Sequence, residues 1–394
     1  MTAGAETDRP LTFMLVCGEP SGDQLGAQLM SALRTLGGSR IHIVGVGGTA
    51  MAAQGLQSLF PLDATAVMGL REVVPRIPAI LARVRQAADY ALNVRPDAVV
   101  LIDSPDFTHR IARRIKRLAP SIRTVNYVAP QVWATRAYRA RKMAGYFDLV
   151  LALLPFEAPF FEKHGLHSVF VGHPVIERAA LMKGGDALRT RLGIAADAPL
   201  LAVLPGSRAS EIRFILPEFR AAVAQIALRI PGLVTLMPVV PHMAARVRAQ
   251  TAGWPTPLHI VESEPDKFAA FDAADAALAA SGTVTTELAL ARTPMVVGYK
   301  LGWLTYALIR PFVRVPYVTL VNLLLGREAV PELIQGRCAP KPLADAVIAL
   351  LTDSNIRERQ TADLAEAVHR LGQGAEAPSR RAARALLDFA GRRP

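Results

Sequence analysis

Leu11-Thr12-Phe13-Met14-Leu15-Val16-Cys17, running straight into Gly18-Glu19-Pro20-Ser21-Gly22-Asp23, decides the architecture. A near-continuous apolar run of this length reads as a strand buried on both faces, the kind found in parallel sheets covered by helices. Ser21–Leu36 then carries Leu25, Leu29, Leu33 and Leu36 at helical spacing. Strand, glycine turn, helix is the opening of a βαβ unit. Further short apolar runs follow: Ile41–Val46, Ala98–Ile102, Thr124–Val128, Leu149–Leu153 and Val169–Val171. Gly172-His173-Pro174 closes this set, and the Gly/Asp/Ala-rich stretch after it marks a boundary within residues 174–198.

The pattern then restarts. Strands are expected at Leu200–Leu204, Val234–Val239, His259–Val261, Ala276–Ala280 and Met295–Tyr299, with helices running to about Arg229, over Asp266–Ala273 and over Thr283–Ala291. The last fifty residues read as helices, with Leu364, Val368 and Leu371 on one face and Leu386, Leu387 and Phe389 in the next. The expected fold is α/β, with two Rossmann-like parallel-sheet domains facing a cleft. The boundaries are expected at 1–175 for the first domain, 176–345 for the second, and 346–394 for helices packing back on the first.

The chain has 394 residues, 51% of them hydrophobic and 20% charged, with a mean hydropathy of +0.27. That supports sizeable cores and excludes a disordered chain. Forty-five Lys and Arg against 33 Asp and Glu leave a net charge of +12, which points to an anionic partner without choosing among phosphate substrate, nucleic acid and membrane. Two cysteines are too few for a disulfide framework and suit a reducing compartment. The opening MTAGAETDRP lacks an apolar core, so a signal peptide is not expected, and no uninterrupted apolar run reaches 18 residues.

In open parallel sheets ligands bind beyond the carboxyl ends of the strands. Five segments follow such ends. In the first, Ser21 and Gly22 suit a tight turn and a helix start, while Glu19 and Asp23 suit sugar hydroxyls or a base better than phosphate. The same two acids also suit a helix dipole. The second, Asp103-Ser104-Pro105-Asp106, offers Asp103 as a base at a Pro-fixed turn, with Asp106 as a helix cap and His109 and Arg110 beside it. The third carries Arg136, Arg139, Arg141 and Lys142, which read foremost as a solvated helix face. In the fourth, Pro205-Gly206-Ser207-Arg208 sets a flexible backbone and a guanidinium where a phosphate would sit, without a Walker A pattern. In the fifth, Ser281-Gly282-Thr283 feeds a helix N-terminus, with Glu287 suited to ribose hydroxyls. Tyr299, Asn322, Arg327 and Glu328 are further binding candidates. No HExxH, cysteine cluster or GxGxxG occurs, so neither a metal nor a nicotinamide cofactor is expected. Two apolar stretches interleaved with arginine suit an interface with a bilayer: Gly69–Leu92, with Met68, Val73, Val74, Ile77, Ile80, Leu81 and Val84 as contacts, and Trp303–Val321. A core-facing helix has the same pattern.

Nine segments in order resemble the lipid A disaccharide synthase family. They are Gly18–Asp23, Ile102–Phe107, Tyr127–Trp133, Leu153–Glu157, Val171–Pro174, Leu204–Arg208, Ala280–Thr283, Met295–Tyr299 and Asn322–Glu328. Ala134-Thr135 departs from the family, many of whose members carry a second aromatic there. The resemblance implies a GT-B glycosyltransferase that joins UDP-2,3-diacylglucosamine to 2,3-diacylglucosamine 1-phosphate, with inversion, to give a β-1,6-linked disaccharide 1-phosphate and UDP. It implies a peripheral enzyme on the inner face of the cytoplasmic membrane of Gram-negative bacteria, with no cofactor and no nucleic acid, and it leaves room for a homodimer. It maps an essential base onto Asp103, motif acids onto Glu19 and Asp23, the nucleotide-side arginine onto Arg208 and a motif asparagine onto Asn322. The alternatives are a UDP-GlcNAc transferase or epimerase acting on a soluble substrate, a nucleic-acid binder suggested by charge alone, and a sugar-nucleotide sensor.

Overall fold

Leu11–Cys17 forms β1, a strand with no solvent-exposed residue, and it is the hub of a parallel sheet in the computed structural model. The structure describes residues 9–62, 70–131, 138–312 and 315–391; side chains of residues 70–76, 304, 308, 309 and 312 lie outside that description. The chain divides into one unit made of Met1–Pro174 with Gly374–Pro394, and a second made of Val175–Gln373.

In the first unit β1 is joined by β2 (Ile41–Val46), β3 (Ala98–Ile102), β4 (Thr124–Tyr127), β5 (Leu149–Ala152) and β6 (Ser168–Phe170), in the order β2-β1-β3-β4-β5-β6. All pairings are parallel, with Leu11 opposite Ile41 and Cys17 opposite Ile102. The chain leaves β1 toward β2, then crosses back to place β3 on the other side. This reversal makes the carboxyl ends of β1 and β3 the switch point where ligands gather. Helices Leu70–Val94 and Pro105–Leu118 pack together over one face, and Pro20–Gly37 packs against Pro378–Gly391. Burial pushes the Cys17 thiol up to about 12, with Asp23 adding to the effect, so the thiol stays protonated.

The second unit repeats the plan. Its strands are β7 (Leu200–Leu204), β8 (Val234–Pro238), β9 (Leu258–Val261), β10 (Ala276–Ala280), β11 (Met295–Tyr299) and β12 (Glu332–Ile334), in the order β12-β11-β10-β7-β8-β9. Its switch point lies between β7 and β10. β12 is absent from the sequence reading, since Pro331 and Glu332 look like loop residues; it pairs with β11 because Glu332 is buried among polar partners.

One domain expectation needs correction. Residues 346–373 stay with the second unit instead of packing on the first. Helix Ser354–Arg370 packs on Thr283–Leu290 and Leu320–Leu325. Leu364, Ala367 and Val368 are its buried apolar residues, so its hydrophobic face has its partner there. Among the described residues no helix is long and apolar enough to cross a membrane.

Candidate active site

The loops after β1 and β3 are tied to each other at the first switch point. Ser21 Oγ donates to Asp103 Oδ2 at 3.0 Å, and Ser104 Oγ donates to Glu19 Oε1 at 2.9 Å. The backbone N–H of Ser104 donates to Asp103 Oδ1 at 2.8 Å. Gly18 permits this closeness, because a Cβ there would meet the Ser104 Cβ at 2.7 Å. Asp103 is half-buried, so its carboxylate keeps lone pairs for a ligand hydroxyl.

Three non-glycine residues at adjacent strand ends take left-handed backbone: Asp103 at φ 54°, Ser104 at 44° and Val128 at 70°. Each costs about 1–3 kcal/mol, and such strain concentrates at functional sites. A β-branched residue at Val128 is the least favourable of the three. Sequence reading does not reveal this strain, because all three residue types are ordinary at strand ends.

Asp23, a candidate acid, is committed elsewhere. It is 4% exposed and accepts from the backbone N–H groups of Gly48 (2.7 Å), Ala50 (2.8 Å) and Met51 (3.0 Å). It therefore caps helix Thr49–Ala53, which has no cap from its own Gly48. Gly22 is buried beneath it and Ser21 is exposed. Asp106 is exposed in the first turn of its helix, where Ser104 holds the cap position instead.

The second switch point holds a cavity of about 490 Å³. Gly206, Ser207 and Arg208 line it from the end of β7, and Ser281, Gly282 and Thr283 from the end of β10. Helix Thr283–Leu290 starts at the wall with no side-chain cap; the Thr285 amide bonds Gly282 O, and those of Thr283 and Val284 stand at the mouth where an anion would meet them. The Ser207 and Arg208 amides, in contrast, are taken by an internal carboxylate. Glu211 Oε2 accepts from both, at 2.9 and 3.1 Å, and Gly206 makes room at φ 109°. The Arg208 guanidinium, 3.2 Å from Glu211 Oε1 and 71% exposed, faces solvent, as does Ser207. Tyr299 donates its hydroxyl to Glu211 at 3.3 Å, and burial followed by Glu211 raises its pKa. The sequence places Glu211 close to the start of this helix without showing its role, although an acid three residues past a cap position is the mark of a capping box.

Glu287 lies in the cavity wall, 5% exposed, and is held by Lys267 at 3.0 Å and Arg178 at 3.0 Å. Neither cation was legible beforehand, since both lie on other elements.

Three binding candidates sit away from this cavity. Asn322 is fully buried; its Nδ2 donates to Val330 O and Glu332 Oε1, and its Oδ1 accepts from the Ala329 and Val330 amides. Those four bonds fill its capacity and hold the approach to β12. Arg327 pairs with Asp363 (2.7 Å) and Glu366 (3.1 Å). Glu328 accepts from the Glu332 amide at 3.2 Å. All three are engaged with the protein itself, because helix Ser354–Arg370 and the chain entering β12 bring them partners.

Among the expected membrane contacts, Met68 lies outside the described residues, as do Ala134 and Thr135, and the side chains of Val73 and Val74 are not described. Ile77 is 44% exposed. Ile80 and Leu81 are half-buried, and Ile80 packs on the core. Val84 is corrected: at 5% exposure it belongs to the core, facing the Pro105–Leu118 helix. Trp303, in the second apolar stretch, is 78% exposed.

His109 has its pKa lowered to about 4 from the usual 6.5, first by burial and then by Arg113 and Arg139. Between those values the unfolded chain takes up a proton that the folded protein refuses. Stability from this group is therefore present above pH 6.5 and lost as pH falls toward 4, by about 3 kcal/mol. Urea unfolding across that window is expected to show this slope, and His109→Gln is expected to flatten it.

A family model described as "Lipid-A-disaccharide synthetase" matches residues 13–386. The lipid-A-disaccharide synthase of Rhodospirillum centenum is 49% identical over 380 residues, covering 96% of this chain and 95% of that protein. That of Paramagnetospirillum magneticum is 46% identical over 381 residues, covering 96% and 97%. Among solved structures, a putative UDP-N-acetylglucosamine 2-epimerase from Listeria monocytogenes superimposes with a TM-score of 0.64 at 13% identity, covering 96% of this chain and 95% of its own. At that identity the likeness speaks to the fold alone, and it agrees with a GT-B architecture of two Rossmann-like units.

Proposed function

The chain belongs to the lipid-A-disaccharide synthetase family, and on that premise we propose that it transfers 2,3-diacylglucosamine from UDP-2,3-diacylglucosamine to 2,3-diacylglucosamine 1-phosphate. The products are the β-1,6-linked disaccharide 1-phosphate and UDP. The observation that carries the chemistry is the Asp103 cluster: a half-buried carboxylate on strained backbone at a switch point, tied to Ser21.

In this reading Asp103 accepts the proton of the acceptor's 6-hydroxyl as that oxygen attacks the anomeric carbon. The bond from the anomeric carbon to the diphosphate breaks on the opposite face, and its electron pair leaves with UDP. Glu19 acts through Ser104, which holds the turn that presents Asp103. Arg208 and the first amides of helix Thr283–Leu290 neutralise the departing diphosphate. Lys267 and Arg178 hold Glu287 oriented for ribose hydroxyls. The reading calls for no resident metal. A net charge of +12, with Ile77 and Trp303 exposed, supports peripheral contact with an anionic bilayer on its cytoplasmic face.

The test is product analysis by mass spectrometry with the acylated donor and acceptor. Disaccharide 1-phosphate and UDP in equal amounts are expected. Turnover of unacylated UDP-GlcNAc at the same rate, or its epimerisation, would replace this reading with the soluble-substrate alternative.

A further inference from the structure

The first unit contains a second cavity, of about 240 Å³, that the proposed chemistry leaves unused. Its wall starts at Pro105, two residues past Asp103, and continues along helix Pro105–Leu118 to helix Tyr138–Met143. Arg110, Arg113, Arg139 and Lys142 all line it, and Asp106 is the one carboxylate among its lining residues. Among the described residues none of the four cations is paired with a carboxylate, although arginines and lysines nearby are, as Arg114 is with Asp89 and Lys116 with Asp148. Four like charges held around one small space repel each other unless an anion joins them.

A neutral group on the same wall points the same way. His109 is 6% exposed, and its Nε2 has no partner among the described residues. Arg113 Nη2 donates to the Tyr146 oxygen at 3.1 Å, and the Tyr146 hydroxyl lies 3.1 Å from His109 Nδ1. Held neutral by its burial, His109 supplies no counter-charge to the four cations beside it, which leaves their demand for an anion unmet.

We propose that this cavity binds the phosphomonoester of the sugar acceptor, held by Arg110, Arg113, Arg139 and Lys142. The inference rests on the function proposed above for the identity of the acceptor. It explains how one substrate hydroxyl is chosen. Anchoring the phosphate along the helix that begins two residues after Asp103 directs the other end of the sugar back toward that carboxylate. A 240 Å³ space admits a phosphate with part of a sugar.

The test compares wild type with Arg139→Ala/Lys142→Ala, both exposed positions whose removal leaves the core intact. Kinetics are measured with 2,3-diacylglucosamine 1-phosphate and with the same acceptor lacking phosphate. The variant is expected to lose at least tenfold of the preference in kcat/KM for the phosphorylated acceptor, through acceptor KM, with donor KM unchanged. Broadening of the 31P signal of glucosamine 1-phosphate by wild type, lost in the variant, is the readout independent of turnover. Equal slowing with both acceptors, or no change, would overturn the site. So would a variant that keeps its acceptor preference but no longer sediments with phosphatidylglycerol vesicles, which would assign these cations to a bilayer headgroup. If wild type binds glucosamine 1-phosphate but makes no disaccharide, the proposed function fails and the site stands. If it makes disaccharide without preferring phosphate, the reverse holds.

Discussion

Asp103→Asn is expected to lower kcat by about 10²–10⁴-fold, the usual range for removing a general base, while donor KM stays within about twofold. The choice of asparagine matters. Asp103 sits at φ 54°, a conformation that Asn tolerates better than other replacements, so the strained turn is retained. The amide also keeps a carbonyl oxygen for Ser21 Oγ or the Ser104 amide, whose bonds are 3.0 and 2.8 Å in the native protein. The loss should then fall on proton transfer and not on folding, and a melting temperature within a few degrees of wild type would confirm the separation. Asp103→Ala adds backbone cost and is expected to be less stable as well as inactive. A kcat for Asp103→Asn above one tenth of wild type would remove Asp103 as base and pass the role to Glu19, the next carboxylate at this switch point.

Arg208→Ala is expected to cost about 10²–10³-fold in kcat/KM for the donor, comparable with the loss of one group that stabilises developing negative charge. Its side chain is 71% exposed at the cavity and pairs with Glu211, so its removal affects stability by less than about 1 kcal/mol. Binding of UDP, followed by calorimetry, should weaken in parallel. Arg208→Lys is expected to recover only part of the loss, because an ammonium lacks the planar fork that meets two phosphate oxygens at once. Unchanged UDP affinity in Arg208→Ala would move the diphosphate wholly onto the Ser281–Thr283 side of the cavity.

Much of the scaffold was legible because its strands are short apolar runs, most of them buried on both faces. The runs Leu11–Cys17, Ile41–Val46, Ala98–Ile102, Leu200–Leu204, Ala276–Ala280 and Met295–Tyr299 have the same ends in the sequence reading and in the structure. β12 was not legible: Glu332 is a buried acid whose partners, Thr319 and Asn322, are 13 and 10 residues away and become its neighbours only through folding. The same limit explains Asp23. Its position after a glycine turn suits catalysis and capping equally, and the amides of Gly48, Ala50 and Met51 decide for capping.

For the basic run after β4, the reading as a solvated helix face agrees with the exposure of Arg139, Arg141 and Lys142, while Arg110 and Arg113 belong to a different helix. Only packing brings Arg110, Arg113, Arg139 and Lys142 onto one cavity with His109.

From sequence alone come the two βαβ units, the loops that bear function, the family, and Asp103 and Arg208 as the residues to test. Apolar periodicity and glycine turns are local properties, and motif order is linear, so both survive without coordinates. The tertiary structure alone decided which polar groups are already satisfied. It shows Asp23, Asn322, Arg327 and Glu328 engaged in the protein's own bonds, Asp103 half-buried and Arg208 exposed. A hydrogen bond between residues far apart in the chain has no trace in either residue's neighbourhood, and it is those bonds that separate a structural acid or amide from a functional one.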